Sequence, residues 1–271
     1  MTETITTRLW HEEAEEDNPF VARRCRLAGY DVYGALLPRV GWAEFLYLLF
    51  REELPEPAAA RLLEAVAVAL AHPGIRDPSV RAAMNAAVGR SHRAAALMAA
   101  LAVGAGRLGG AAEVARAVAL FGELGRDLDA WRDRARRLDE GEDESDWEHL
   151  PGFDPRTERA STPVCQALET FAKLRPGGWL GWLWAARLDL EAVAGCGLAL
   201  SGVVAAAFAD LGFPPEAAEM LYLFLRLPGA AAQALEQERL GWRRYPFFAE
   251  ALEHLPAADY RALLQRLGER L

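Results

Sequence analysis

Two features of this sequence have chemical reach: a glycine-rich turn and the placement of a few arginines. The pattern G-x-G-x-x-G occurs as Gly104-Ala105-Gly106-Arg107-Leu108-Gly109. It cradles a dinucleotide when it joins a strand to a helix, but here it follows a helical stretch, so it reads as a turn. The histidines, His11, His72, His92, His149 and His254, are scattered. No HExxH motif and no G-x-S-x-G elbow is present. Cys25, Cys165 and Cys196 lie far apart without a CxxC or a Cys/His cluster, so neither a disulfide framework nor a metal site is expected. The basic residues are almost all arginine, with Lys173 the only lysine. A GC-rich genome explains that bias, although arginine also grips carboxylates through a rigid two-pronged fork. Arg226 sits in an otherwise apolar helical run, where a buried guanidinium needs a partner such as Glu236. Arg156 has Glu158 and an acidic loop within reach, while Arg243 and Arg244, between Trp242 and Tyr245, suit a surface or subunit contact.

The elements that must position these groups read as helices. The chain has 271 residues, 52% hydrophobic and 25% charged, enough for one large domain, or a large with a smaller one. Its net charge of −9 argues against nucleic acid or an anionic membrane as a general partner. Helical patterns fall at 41–50, 57–70, from 78 onward, 91–103, 113–124, 126–138, 162–175, 179–193, 198–211, 215–237, 246–254 and 257–269. Pro57 suits the start of its helix. The stretch 139–146 is an acidic, solvated loop. Alternating strand patterns with hairpin turns are absent, so the fold class is all-α. The uncharged run 192–209 carries Gly195, Gly197, Gly202 and Ser201, and reads as a buried helix after a turn rather than a membrane span. The start is acidic and polar, unlike a signal peptide, and a cytoplasmic protein is expected. Trp179, Trp182 and Trp184 read as core packing.

Five segments, in order, resemble the citrate synthase superfamily. They are LAGYDV (27–32) with REELP (51–55); AHPG (71–74) before Pro78-Ser79; GRLGGAAE (106–113), similar to "GPLHGGANE"; PGF (151–153) with DPR (154–156), similar to the two ends of "PGFGH…DPR"; and LGFP (211–214) with LRLPG (225–229) and AQALE (232–236). The similarity covers about residues 27–245, and the short length places the chain nearest the compact citryl-CoA lyase-like members.

The resemblance implies a homodimeric, all-α, citrate synthase-like fold with an interdomain cleft. The large domain would comprise 1–108 and 196–271, the small domain 109–195. It also implies chemistry between citrate-like acids and coenzyme A thioesters, in which a carboxylate base, an enolate-stabilising histidine and a carbonyl-polarising histidine cooperate. On this chain the enolate histidine position holds Leu108, and the base position in "NVDG" holds Ser201. The loop that would carry the second histidine is missing between Phe153 and Asp154, and Asp154, with His72, is a candidate replacement. The positions that hold substrate carboxylates are kept: His72, Arg156, Arg226 and, more loosely, Arg244 or Arg243. The resemblance therefore implies a binder of a di- or tricarboxylate, with a coenzyme A thioester as a second ligand, acting as a non-catalytic sensor, regulatory or partner subunit. The alternative is an enzyme that makes or breaks a C–C bond through relocated residues. Dimerisation is expected through the small apolar helices at 91–105 and 198–211.

Overall fold

A computed structural model of the chain describes residues 7–141 and 147–246. The expected helices at 246–254 and 257–269, His254 and most of the acidic loop lie outside the described residues. Ten α-helices carry the described fold: α1 Trp42–Arg51, α2 Pro57–Leu70, α3 Pro78–Val88, α4 Arg93–Gly104, α5 Ala111–Leu124, α6 Leu128–Asp139, α7 Thr162–Leu174, α8 Trp179–Ala194, α9 Leu200–Asp210 and α10 Pro215–Leu240. Helices therefore fall where the sequence patterns place them, and none among the described residues is long and apolar enough to cross a membrane.

The expectation of no hairpins is corrected near the start of the chain. Strands β1 His11–Ala14, β2 Ala22–Leu27 and β3 Tyr30–Asp31 form an antiparallel meander, with His11 opposite Arg26 and Arg26 opposite Asp31. Their residues, HEEA and ARRCRL, place charge on both faces and are mostly exposed, so no apolar alternation marks them. Cross-strand pairs such as Arg26 with Glu13, at 2.8 Å, supply the register instead. A second, minimal ladder pairs β4 Phe153–Asp154 with β5 Gly197–Leu198.

Helix α9 occupies the centre. Every residue from 201 to 208 is buried, against residues of α2, α5, α7 and α8 in one continuous core. That removes α9 from the list of dimer surfaces, because its apolar faces are already covered within the chain. Helix α4 differs, leaving Met98 and Val103 exposed. A smaller alanine cluster (Ala83, Ala87, Ala96, Ala100, Ala230 and Ala234) joins α3, α4 and α10. Trp179 and Trp182 pack on Phe121 and Trp131, as core residues should, whereas Trp184 is exposed and leaves that cluster.

Contacts at the ends of α2 and α3 bring distant segments together. Pro228 lies inside α10, where its ring removes a backbone donor and perturbs the ladder. Next to it the Gly229 N–H donates to the Ala71 carbonyl at 2.7 Å, and a Cβ there would approach the His72 Cα to 2.6 Å. The end of α2 thus docks on the middle of α10 only because residue 229 is glycine. Asp77 caps α3 by accepting from the Ser79 N–H at 2.9 Å, with Pro78 at the first helical position.

Candidate functional site

Two side chains tie three segments together: Arg226 links the glycine turn 106–110 to residues 72–77, and Glu113 links the same turn to the loop 151–156. The turn is tight, with Gly109 at φ +68°, and its carbonyl points at α10. Tyr222 donates its hydroxyl to that carbonyl at 2.9 Å, and Arg226 donates Nη1 to it at 3.0 Å. The other arm of Arg226 pairs with Asp77, and the guanidinium lies 4.8 Å from the Tyr222 ring centroid. Arg226 is buried, and its Nε has no partner among the described residues. Burial pushes the Tyr222 hydroxyl up to about 12, with the nearby Arg226 cation opposing that shift. The expected partner Glu236 is replaced by Asp77, which Arg226 meets across 149 positions of sequence.

Arg156 is built differently. Its side chain is 62% exposed and forks onto Asp154, with Nε 2.8 Å from Oδ1 and Nη2 3.0 Å from Oδ2. This hydrogen-bonded cation holds the Asp154 carboxyl below its ordinary range, and Asp154, with lesser contributions from Glu113 and Asp77, raises Arg156 in turn. Asp154, the candidate substitute acid, is therefore an ionised partner of Arg156. The pairing is with Asp154 rather than Glu158 or the acidic loop.

His72 is exposed at the same end as Arg226. Its Nδ1 accepts from the Gly74 N–H at 3.0 Å, which leaves Nε2 to donate to Gln233 at 3.2 Å. Segment 72–77 thus meets α10 twice, His72 at Gln233 and Asp77 at Arg226, and Asp77 and Glu113 also act on the charge of Arg156. Arg244 is not brought there within this chain: it is exposed on the short 3-10 turn Trp242–Arg244, beside Arg243, which covers the Trp242 ring at 5.2 Å.

A buried carboxylate that sequence reasoning passed over sits at the centre. Glu113, in the first turn of α5, is 1% exposed. It accepts from the Gly109 N–H, from the Gly152 N–H at 3.0 Å and from the Ser201 hydroxyl at 2.7 Å. His149 Nε2 lies 3.7 Å from it. Two glycines permit this meeting: a Cβ on Gly152, at φ +95°, would come 2.9 Å from the Gly202 Cα. Glu113 carried a signal, as the lone acid in the apolar run AAEVARAVALF. His149 carried none, since its partner lies 36 residues upstream and nothing local marks it. Leu108, 48% exposed, forms the wall of a cavity of about 380 Å³ that His149 also borders.

No family model matches the sequence, and no curated protein matches it. Solved structures do match. Citryl-CoA lyase from Hydrogenobacter thermophilus is 19% identical, with a TM-score of 0.68 over 97% of this chain and 100% of that one. The chain has the citrate synthase-like fold in its compact, citryl-CoA lyase-like form. ATP citrate lyase from Methanothrix soehngenii, solved with citrate and coenzyme A, gives 19% identity and a TM-score of 0.69 over 96% of this chain, which spans 43% of that longer one. Citrate synthase from Thermotoga maritima gives 17% and 0.62 over 80% of this chain and 60% of the other.

Proposed function

We propose that this chain binds a di- or tricarboxylate of the citrate or oxaloacetate type in the cleft, without catalysing C–C bond chemistry, as a sensor or partner subunit. The observation that carries the reading is the state of Ser201. At the position where the family's carboxylate base would stand, this hydroxyl is buried and spent as a donor to Glu113. A serine used in this way supplies no base, and Leu108 has no donor for an enolate oxygen. Losing a base or an electrostatic stabiliser costs roughly 10²–10⁴-fold in rate each. The cationic residues remain: Arg156 is exposed, Arg226 belongs to α10 and His72 meets it.

A coenzyme A thioester is the proposed second ligand, supported by the complex of ATP citrate lyase with citrate and coenzyme A. A homodimer, with α4 as the contact helix, is supported by its exposed Met98 and Val103. The test is a thermal-shift series with citrate, oxaloacetate, malate and succinate, each with and without coenzyme A. An acid present at a hundred times its Kd should stabilise by about 2.7 kcal/mol and raise Tm by ~5–10 °C in a chain of this size. Arg156→Gln should remove the shift; Arg226 is the poorer probe, because its loss would also strand Asp77. A flat series would leave the arginines structural. Product release from citryl-CoA above a buffer blank would replace this reading with an active enzyme.

A further inference from the structure

The outer half of the β1–β2 ribbon has no core of its own. Strand β3 pairs with β2 only at Arg26 and Leu27, so beyond Arg26 the ribbon is two-stranded. Ala22, Arg23 and Arg24 are consecutive, hence on both faces of the ribbon, and all three are exposed. A two-stranded ribbon of this kind is marginal in water unless something packs against it. Its order here comes from Glu13, which pairs with Arg23, Arg24 and Arg26, and from a hydrogen-bonded tip. At the tip the Asn18 side chain accepts from the Phe20 N–H at 3.0 Å, and the Asn18 carbonyl accepts from the Val21 N–H at 3.2 Å. Phe20 is thereby held 96% exposed, more than any other large apolar side chain among the described residues.

Charge marks the same tip. Glu15, Glu16 and Asp17 lead into it, and Arg23 answers Glu16 at 3.6 Å. An exposed aromatic ring framed by acids suits an apolar recess bordered by cations. Such a recess exists on this chain. A cavity of about 210 Å³ lies where the end of α3, the start of α4 and the C-terminal half of α10 meet, floored by Ala87, Ala96, Leu97, Ala234 and Leu235. An apolar cavity of about 150 Å³ already takes a benzene ring, so this one has room for a phenyl side chain. Ser91, Arg93 and Glu238 form its polar rim. Arg93 and Glu238 pair at 3.2 Å through exposed side chains and balance each other. The uncompensated charge is Arg90, which is exposed and makes no ion pair among the described residues. Its Cα is one residue, about 3.8 Å, from that of Ser91, within the ~8 Å over which exposed charges act at physiological salt. Leu97 in the cavity wall adjoins the exposed Met98, and α4 carries no charge from Ala94 to Gly104, so the cavity opens beside an apolar face.

We propose that the β1–β2 hairpin of one copy docks on a second copy, with Phe20 in the α3–α4–α10 cavity and the acidic tip against the turn that carries Arg90. Knob and recess belong to the same chain, so a second copy supplies both halves of the fit. Exchanged reciprocally about a two-fold axis, two such contacts close a dimer and leave no open end for further growth. The inference rests on the homodimer proposed above and names the contact that makes it.

Sedimentation velocity on the full chain, over a concentration series, tests it. Phe20→Ser alters a side chain that stands in solvent, so the fold is kept, and dimerisation should weaken at least tenfold. Asp17→Arg and Arg90→Glu should each weaken it, and the two together should recover most of the loss, because opposite charges face each other again in exchanged places. With Phe20 replaced by p-benzoylphenylalanine, light should produce a covalent dimer whose joined peptides include residues 94–97 or 231–238. A dimer as tight in Phe20→Ser as in wild type, or a cross-link that falls elsewhere, overturns the hairpin contact and leaves the homodimer standing. A double charge variant weaker than either single one also overturns it. A wild-type chain that stays monomeric overturns both.

Discussion

Arg226 is buried and draws partners from three segments, whereas Arg156 stands in solvent with one partner two residues away. The two arginines look equivalent in the sequence, where the resemblance implies the same carboxylate-holding task for each. They differ in what surrounds them. Arg226 joins α10 to the cap of α3 and to the glycine turn, so its fork is committed. Arg156 holds Asp154 in water, a contact weak enough for a ligand carboxylate to exchange with it. A residue type at a family position therefore does not fix its task; burial and the number of satisfied donors do.

Arg226→Met puts this contrast under the greatest load. The substitution keeps volume but leaves the Asp77 carboxylate, 17% exposed, without its cation. Removing one member of a buried pair costs about 3–5 kcal/mol, and urea denaturation should find a loss of that size. Adding Asp77→Asn should recover part of it, because the stranded charge is then gone. A loss below about 1 kcal/mol would mean that Arg226 is held as loosely as Arg156.

Glu113→Gln comes next. The amide can keep its oxygen on Gly152 and Ser201, but its NH2 would then face the Gly109 N–H, donor against donor. One unsatisfied buried donor costs about 1–3 kcal/mol. Chemical denaturation checks the loss, and hydrogen exchange at Gly109 locates it: that amide should open first. If Gly109 stays as protected as in wild type, Glu113 does not hold the turn.

Much of this was legible in the sequence, and the failures have physical causes. Helix α2 begins at Pro57 and buries Leu62, Leu63, Val66 and Leu70, as its periodicity requires. The uncharged run around α9 is the central buried helix. The β1–β3 meander was invisible because its order comes from charged cross-strand pairs. The partner of Arg226 was misplaced for a related reason: Glu236 is close in sequence, while Asp77 is brought near only by α2 docking on Gly229. The Glu113–His149–Ser201 centre joins residues up to 88 positions apart, through two facing glycines whose role appears only in three dimensions.

The smallest expected effect tests Arg156. Arg156→Ala removes a pair whose cation is 62% exposed, so water and salt screen it, and the loss at neutral pH should stay below about 1 kcal/mol. Its sign with pH is fixed by Asp154. Hydrogen bonding from Arg156 lowers that carboxyl in the folded state from the ordinary value of 3.8. The pair's contribution is therefore fully present above that value and fades as pH falls through the lower, folded-state value. Urea midpoints of wild type and Arg156→Ala should differ slightly at pH 6 and converge toward pH 3. A gap that widens in acid would mean that Asp154 is held by something other than Arg156. The proposed exchange of Asp154 for a ligand carboxylate at Arg156 would then lose its basis.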